Sequence, residues 1–158
     1  RFVDRGAELR ALADRVHTWV ADEGVLPGDI RVLANSPEVR EAAATVLTDR
    51  LGPLGATVES QARTTLSTGP HTLVVTTAHS FKGHEAEIVA VPGADRFVVR
   101  SEDPPRILGR ALYVALTRAR SVLYVSGSAS SGPAASASEA VLGALEAAAE
   151  GLVGSVRA

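Results

Sequence analysis

The chain has 158 residues, 46% of them hydrophobic and 22% charged, with a formal net charge of −2. That length and apolar content suit one domain with its own core; they exclude a disordered tail, and the slight acidity excludes nucleic-acid binding through bulk charge alone. The absence of cysteine excludes disulfides, thiolate zinc sites, iron–sulfur clusters and cysteine nucleophiles.

No apolar run approaches the roughly 18–20 residues of a membrane helix. The first residues alternate charged and apolar types, unlike a secretory signal. The expectation is therefore a cytoplasmic chain with no membrane partner. It begins at Arg1 and contains no methionine, so it is expected to be a piece of a longer protein. Of 16 basic residues one is a lysine, Lys82, which directs attention to its neighbours.

In chain order, Leu9, Leu12, Val16, Trp19 and Val20 recur at helical spacing, and Gly24 is a natural stop. Ile30 to Ala34 is a short β-branched run that reads as a buried strand. Ser36-Pro37-Glu38 then signals a helix start, with Ser as N-cap and Pro at the first position. That helix presents Val39, Ala43, Val46 and Leu47 and ends near Gly52. Ala56 to Glu59 suggests a short strand, residues 60–71 read as polar turns, and Thr72 to Thr77 is a strong strand.

Glu87 to Val91 forms the next apolar run, and an irregular stretch with a short helix is expected between Pro92 and Pro105. Ile107, Leu108, Ala111, Leu112, Ala115, Leu116 and Ala119 predict a helix, and Ser121 to Ser126 the last strand. A Gly/Ser/Ala-rich connector follows. Ser136 with Glu139 is a capping-box pattern opening a final helix with Val141, Leu142 and Leu145 inward. Apolar strands alternating with helices predict an α/β domain, its parallel sheet covered on both faces.

Two stretches carry candidate chemistry. Thr76-Thr77-Ala78-His79-Ser80-Phe81-Lys82-Gly83-His84-Glu85 directly follows a predicted strand, and ligands in open parallel sheets sit at strand carboxyl ends. Thr77 and His79 can donate to phosphate oxygens, Lys82 offers a compact charge, and Gly83 permits close backbone approach. Glu85 can accept from hydroxyls. That inventory suits a phosphate- or sugar-bearing ligand. Each residue also has an ordinary role: a surface histidine, a turn glycine, a solvated lysine, a first-turn acid. No histidine pair has helical ligand spacing, so no metal site is expected.

The second stretch runs from Arg110 to Arg120. Thr117, Arg118 and Arg120 fall near the end of the predicted helix, where arginines are favoured by the helix dipole. Arg118 could alternatively reach a phosphate, for which its planar fork is suited.

Together the two stretches resemble motifs V and VI of the UvrD/Rep-type superfamily 1 helicases. The family patterns are Thr-x-His-x-x-Lys-Gly-x-Glu and Tyr-Val-Ala-x-Thr-Arg-Ala. This chain has Thr77, His79, Lys82, Gly83 and Glu85, then Tyr113, Val114, Ala115, Thr117, Arg118 and Ala119. Ile30 to Ser36 resembles the strand and loop that precede these motifs. Departures are His84, where an apolar residue is usual, and Gly109, where many members have a second arginine. The family's Asn-Tyr-Arg-Ser motif and its large helical insertion are absent.

The resemblance implies a RecA-like second lobe over residues 1–127; composition makes 128–138 a connector, and 139–158 a C-terminal helix. Such a lobe is P-loop NTPase-like but lacks the P-loop itself, and no Gly-x-x-x-x-Gly-Lys-[Ser/Thr] occurs here. ATP and Mg²⁺ would be held mainly by an N-terminal RecA-like lobe, leaving the isolated fragment inactive. The resemblance makes Arg118 the catalytic arginine at the γ-phosphate, with Gly83 and Glu85 at the nucleotide. It places Thr77, His79 and Lys82 toward single-stranded DNA. It implies an ATP-dependent DNA helicase or translocase, with DNA repair among such enzymes' roles. The alternative is a helicase-like ATPase, or an inactive module, that remodels or binds a protein partner such as RNA polymerase, or acts in phage defence, without unwinding DNA.

Overall fold

The computed structural model describes residues 1–61, 69–97, 111–128 and 135–156. Helix α1 (Arg5–Ala21) starts where Asp4 accepts a hydrogen bond from the Ala7 amide at 2.7 Å. Strand β1 (Ile30–Leu33) is buried throughout. Helix α2 (Pro37–Leu51) opens as the sequence predicts, with Ser36 accepting from the Val39 amide. Strands β2 (Thr57–Ser60), β3 (Thr72–Thr76) and β4 (Ala86–Val91) follow.

A 3₁₀ turn at Ala94–Phe97 supplies the short helix expected after Pro92. Residues 98–110, and with them the predicted start of the next helix at Ile107 and Leu108, lie outside the described residues. Helix α3 is seen at 111–116, strand β5 spans Ala119–Val125, and α4 spans Ala135–Val156.

One boundary corrects the sequence expectation. The stripe from Ile107 predicts a helix as far as Ala119, but α3 ends at 116, Thr117 and Arg118 form a turn, and Ala119 already pairs in β5. Strand pairing with β4 captures residues whose apolar spacing alone would continue the helix. Helix α4 is described from Ala135, and residues 129–134, immediately before it, lie outside the described residues.

Among the described residues the strands form one five-stranded sheet in the order β2-β3-β1-β4-β5, every pair parallel. Side chains alternate across it. Ile30, Val32, Leu73, Val75, Ile88 and Ala90 face Leu12, Val16 and Trp19 of α1 and Ala43 and Leu47 of α2. Trp19 also meets Tyr124 of β5 edge to face, with ring centroids 6.1 Å apart. On the opposite face Leu33, Val89 and Val91 pack against Ala78, Phe81, Phe97 and Ala115. That second face is covered by α3 and by the loop between β3 and β4.

A buried charge cluster ties α1 to the carboxyl ends of the central and edge strands. Glu8 is fully buried and accepts from the Gly93 amide at 2.7 Å and the Ser126 hydroxyl at 2.8 Å. Arg5 bridges Glu8 and Asp95, the latter at 2.5 Å, and Asp95 also accepts from the Ser128 amide. Phe2 meets Ser128 in an isolated parallel bridge at the same end. Nothing in the helical periodicity singled out Glu8, although an acid at an inward position beside Leu9 and Leu12 is the signal that could have done so. Removing one member of such a cluster leaves buried partners unmet. Glu8→Ala is therefore expected to lower unfolding free energy by about 3–5 kcal/mol, measured by urea denaturation of this chain.

Candidate functional site

β3 and β4 lie on either side of β1 and run the same way. The chain between them must therefore travel from the carboxyl end of one strand to the amino end of the other, across the sheet face. The sequence reading placed the whole stretch from Thr76 to Glu85 at the carboxyl ends. Only its start is there; Glu85 immediately precedes β4 at the opposite end of the sheet.

The path is a run of turns. The Thr77 hydroxyl accepts from the Ser80 amide at 3.1 Å and shares a hydrogen bond with the Ser80 hydroxyl at 3.0 Å. The Phe81 amide donates to the Thr77 carbonyl, Lys82 to His79, and His84 to Phe81. This winding points Ala78 and Phe81 into the second core, while His79, Lys82, Gly83, His84 and Glu85 stay exposed. His84 stands where the helicase pattern has an apolar residue, and its ring lies against Phe81 with centroids 5.7 Å apart. Gly83 has φ +86°, and a Cβ there would meet no atom within 4 Å. Glycine is thus required by the backbone angle, and open space surrounds it.

At the amino end the two motif-like stretches meet. The Ala86 amide donates to the Arg118 carbonyl at 3.1 Å, which brings Glu85 and Arg118 to the same end of the sheet. Arg118 is half-buried. Its Nε donates to the Val114 carbonyl at 3.1 Å and its Nη2 to the Thr117 hydroxyl at 3.2 Å. The Thr117 hydroxyl itself donates to the carbonyls of Tyr113 and Val114. Arg118 therefore caps α3. Among the described residues, Nη1 has no partner and no carboxylate pairs with this guanidinium. It can take an anionic ligand without first breaking an ion pair. Tyr113, one turn earlier, is 67% exposed.

Thr77 and His79 lie at the far end of the loop, by the carboxyl end of β3. Thr77 already uses its hydroxyl to hold the turn, whereas the His79 ring is exposed. Lys82 is exposed between the two ends. The predicted residues thus form two groups, Gly83, Glu85 and Arg118 at one end and Thr77 and His79 at the other. A five- to six-residue strand separates them by about 17–20 Å.

Sequence reasoning missed a polar cleft of about 250 Å³ at the amino end, lined by Asp29, Arg31, Glu85, Glu87 and Arg120 among others. Arg120 donates to Glu85 at 3.1 Å. Arg31 is 8% exposed and donates to the carbonyls of Gly28 at 2.7 Å and Ile30 at 2.9 Å. Burial lowers its pKa from the ordinary value, with Asp29 opposing that shift. An arginine inside an otherwise apolar strand was the available signal. A larger cleft of about 600 Å³, lined by Leu123, Val125, Leu142 and Leu145 among others, is apolar and includes none of the candidate residues. Its lining suits packing rather than phosphate chemistry. Among the described residues, no group of three His, Asp or Glu side chains could hold a metal ion, and no helix is long and apolar enough to cross a membrane.

No family model and no curated protein matches the chain. Among solved structures, the C-terminal domain of a possible DNA helicase from Lactobacillus plantarum WCFS1 is similar. The TM-score is 0.59 at 20% identity, over 84% of this chain and 74% of that one. The two share a fold, a RecA-like α/β arrangement around a parallel sheet.

The loop's attachment to the sheet yields a paired expectation. Phe81→Ala should cost about 3–5 kcal/mol through its core cavity. Gly83→Ala, which meets no atom, should cost about 1–2 kcal/mol through its left-handed backbone angle alone. Urea unfolding of both variants measures the difference.

Proposed function

We propose that this chain is the second RecA-like lobe of an ATP-dependent DNA helicase or translocase of the UvrD/Rep type. It would work with an N-terminal RecA-like lobe and single-stranded DNA. The observation that supports this best is the Ala86–Arg118 backbone hydrogen bond, because it joins Glu85 and Arg118 at one end of the sheet. Two stretches more than 30 positions apart in sequence thereby contribute to one surface.

On this reading Arg118 presents its unpaired Nη1 to the γ-phosphate across the cleft between lobes. A guanidinium placed there stabilises the charge that develops as the phosphoryl group departs, and such arginines are worth about 10³–10⁵ in rate in other phosphoryl-transfer systems. Its bond to the Val114 carbonyl fixes the side chain before the ligand arrives, so less orientation is left to reaction time. Glu85 accepts from ribose hydroxyls, and Gly83 leaves room beside it. Bound ATP and Mg²⁺ would supply the transferable phosphoryl group and its charge neutralisation, held mainly by the first lobe. The residues present fit that division: among the described residues, an arginine without a carboxylate partner and a carboxylate with one oxygen unused.

At the other end His79 faces the strand's phosphates, and Lys82 adds positive charge along the loop. One covalent segment then has its two ends at two ligands. A shift at either end is carried by the turns that Ala78 and Phe81 anchor, which is a physical route for coupling hydrolysis to strand movement.

The test is hydrolysis of ATP by the full-length protein with and without single-stranded DNA. The strand should stimulate the wild type, and Arg118→Ala should remove about three decades of rate while the protein remains folded. Hydrolysis that ignores both the strand and the substitution would instead favour the protein-remodelling or interaction reading.

A further inference from the structure

Arg120 has no assigned role in either stretch, yet it is the residue that holds Glu85. The two side chains are 65% and 53% exposed. Ion pairs this exposed add little to stability, so stability does not account for the arrangement. The strand pairing around it is irregular. Ala86 pairs with Ala119, but Ile88 pairs with Val122, so Arg120 and Ser121 both stand opposite the single residue Glu87. An extra residue of this kind re-aims the side chains beside it. Without it Arg120 would face Glu87. With it, the Ser121 hydroxyl donates to Glu87 and Arg120 reaches back to Glu85 at 3.1 Å. All three charged residues border the same polar cleft.

We infer that Arg120 is a positioning residue that aims Glu85 along the cleft wall, and that the pair sets the preference for a nucleotide carrying ribose hydroxyls. This rests on the functional reading above. Arg120 donates to one carboxylate oxygen, Oε2, which leaves Oε1 for a ligand hydroxyl. A hydroxyl that donates to Glu85 is then favoured over a sugar lacking one, because the alternative leaves an oriented acceptor unmet.

The test measures steady-state hydrolysis of ATP and of 2′,3′-dideoxy-ATP by the full-length protein with single-stranded DNA. The wild type should prefer ATP. Arg120→Ala should raise KM for ATP about fivefold, the upper end of what an exposed pair is worth, with the loss in KM rather than kcat. KM for the dideoxy nucleotide should not change, so the preference narrows. Arg120→Lys should restore part of it, and Arg120→Ala in a Glu85→Gln background should add nothing further. An Arg120→Ala loss that is equal for both nucleotides, or additive with Glu85→Gln, overturns the inference. A wild type that loses hydrolysis on Arg118→Ala yet shows no preference for ATP overturns this inference and leaves the motor reading standing. A wild type without hydrolysis removes both.

Discussion

Nine residues carry the chain from the carboxyl end of β3 to the amino end of β4, across the face of β1. Parallel strands usually need a crossover of a dozen or more residues, commonly a helix. This connection is shorter, so it cannot stand away from the sheet. It lies on it, with Ala78 and Phe81 sharing a core with Leu33, Val89 and Val91. The placement of every candidate residue depends on that constraint. It sets Thr77 and His79 at one end, Gly83 and Glu85 at the other, and Lys82 between.

The two ends of the sheet use charge in opposite ways. At the carboxyl end, Glu8 and Asp95 are buried around Arg5 and satisfied by the Gly93 and Ser128 amides and the Ser126 hydroxyl. Such a cluster is expensive to break and fixes α1 against β4 and β5. At the amino end, Glu85, Arg118 and Arg120 are half-buried or exposed. Arg118 keeps one donor nitrogen unused among the described residues, and Glu85 keeps one oxygen. Buried charge fastens the lobe, and accessible charge remains for a ligand.

Much of the architecture was legible in the sequence. Ile30 to Leu33 and Thr72 to Thr76 read as strands because short runs rich in apolar β-branched residues have few other uses, and Ser36-Pro37 announced α2 by cap chemistry. The end of α3 was not legible, because Ala119 continues the helical spacing of Ala111, Leu112 and Ala115 and only pairing with β4 takes it away. The candidate residues were likewise legible as types, whereas their division between two ends was not. That division follows from strand order, which places β1 between β3 and β4 and cannot be read from local pattern. The pairing of Arg120 was invisible for the same reason: its partner Glu85 is 35 positions away and meets it only through the irregular pairing of β4 with β5.

Under the proposed function, one loop answers to two ligands at opposite ends. Amide hydrogen exchange on the full-length protein, with single-stranded DNA alone and with a non-hydrolysable ATP analogue alone, tests it most directly. The strand should slow exchange around Thr77 to Ser80, and the nucleotide should slow it around Gly83 to Ala86 and Thr117 to Arg120, each with a smaller effect at the other end. Protection of the same end by both ligands, or of neither end by either, would rule out a loop shared between them.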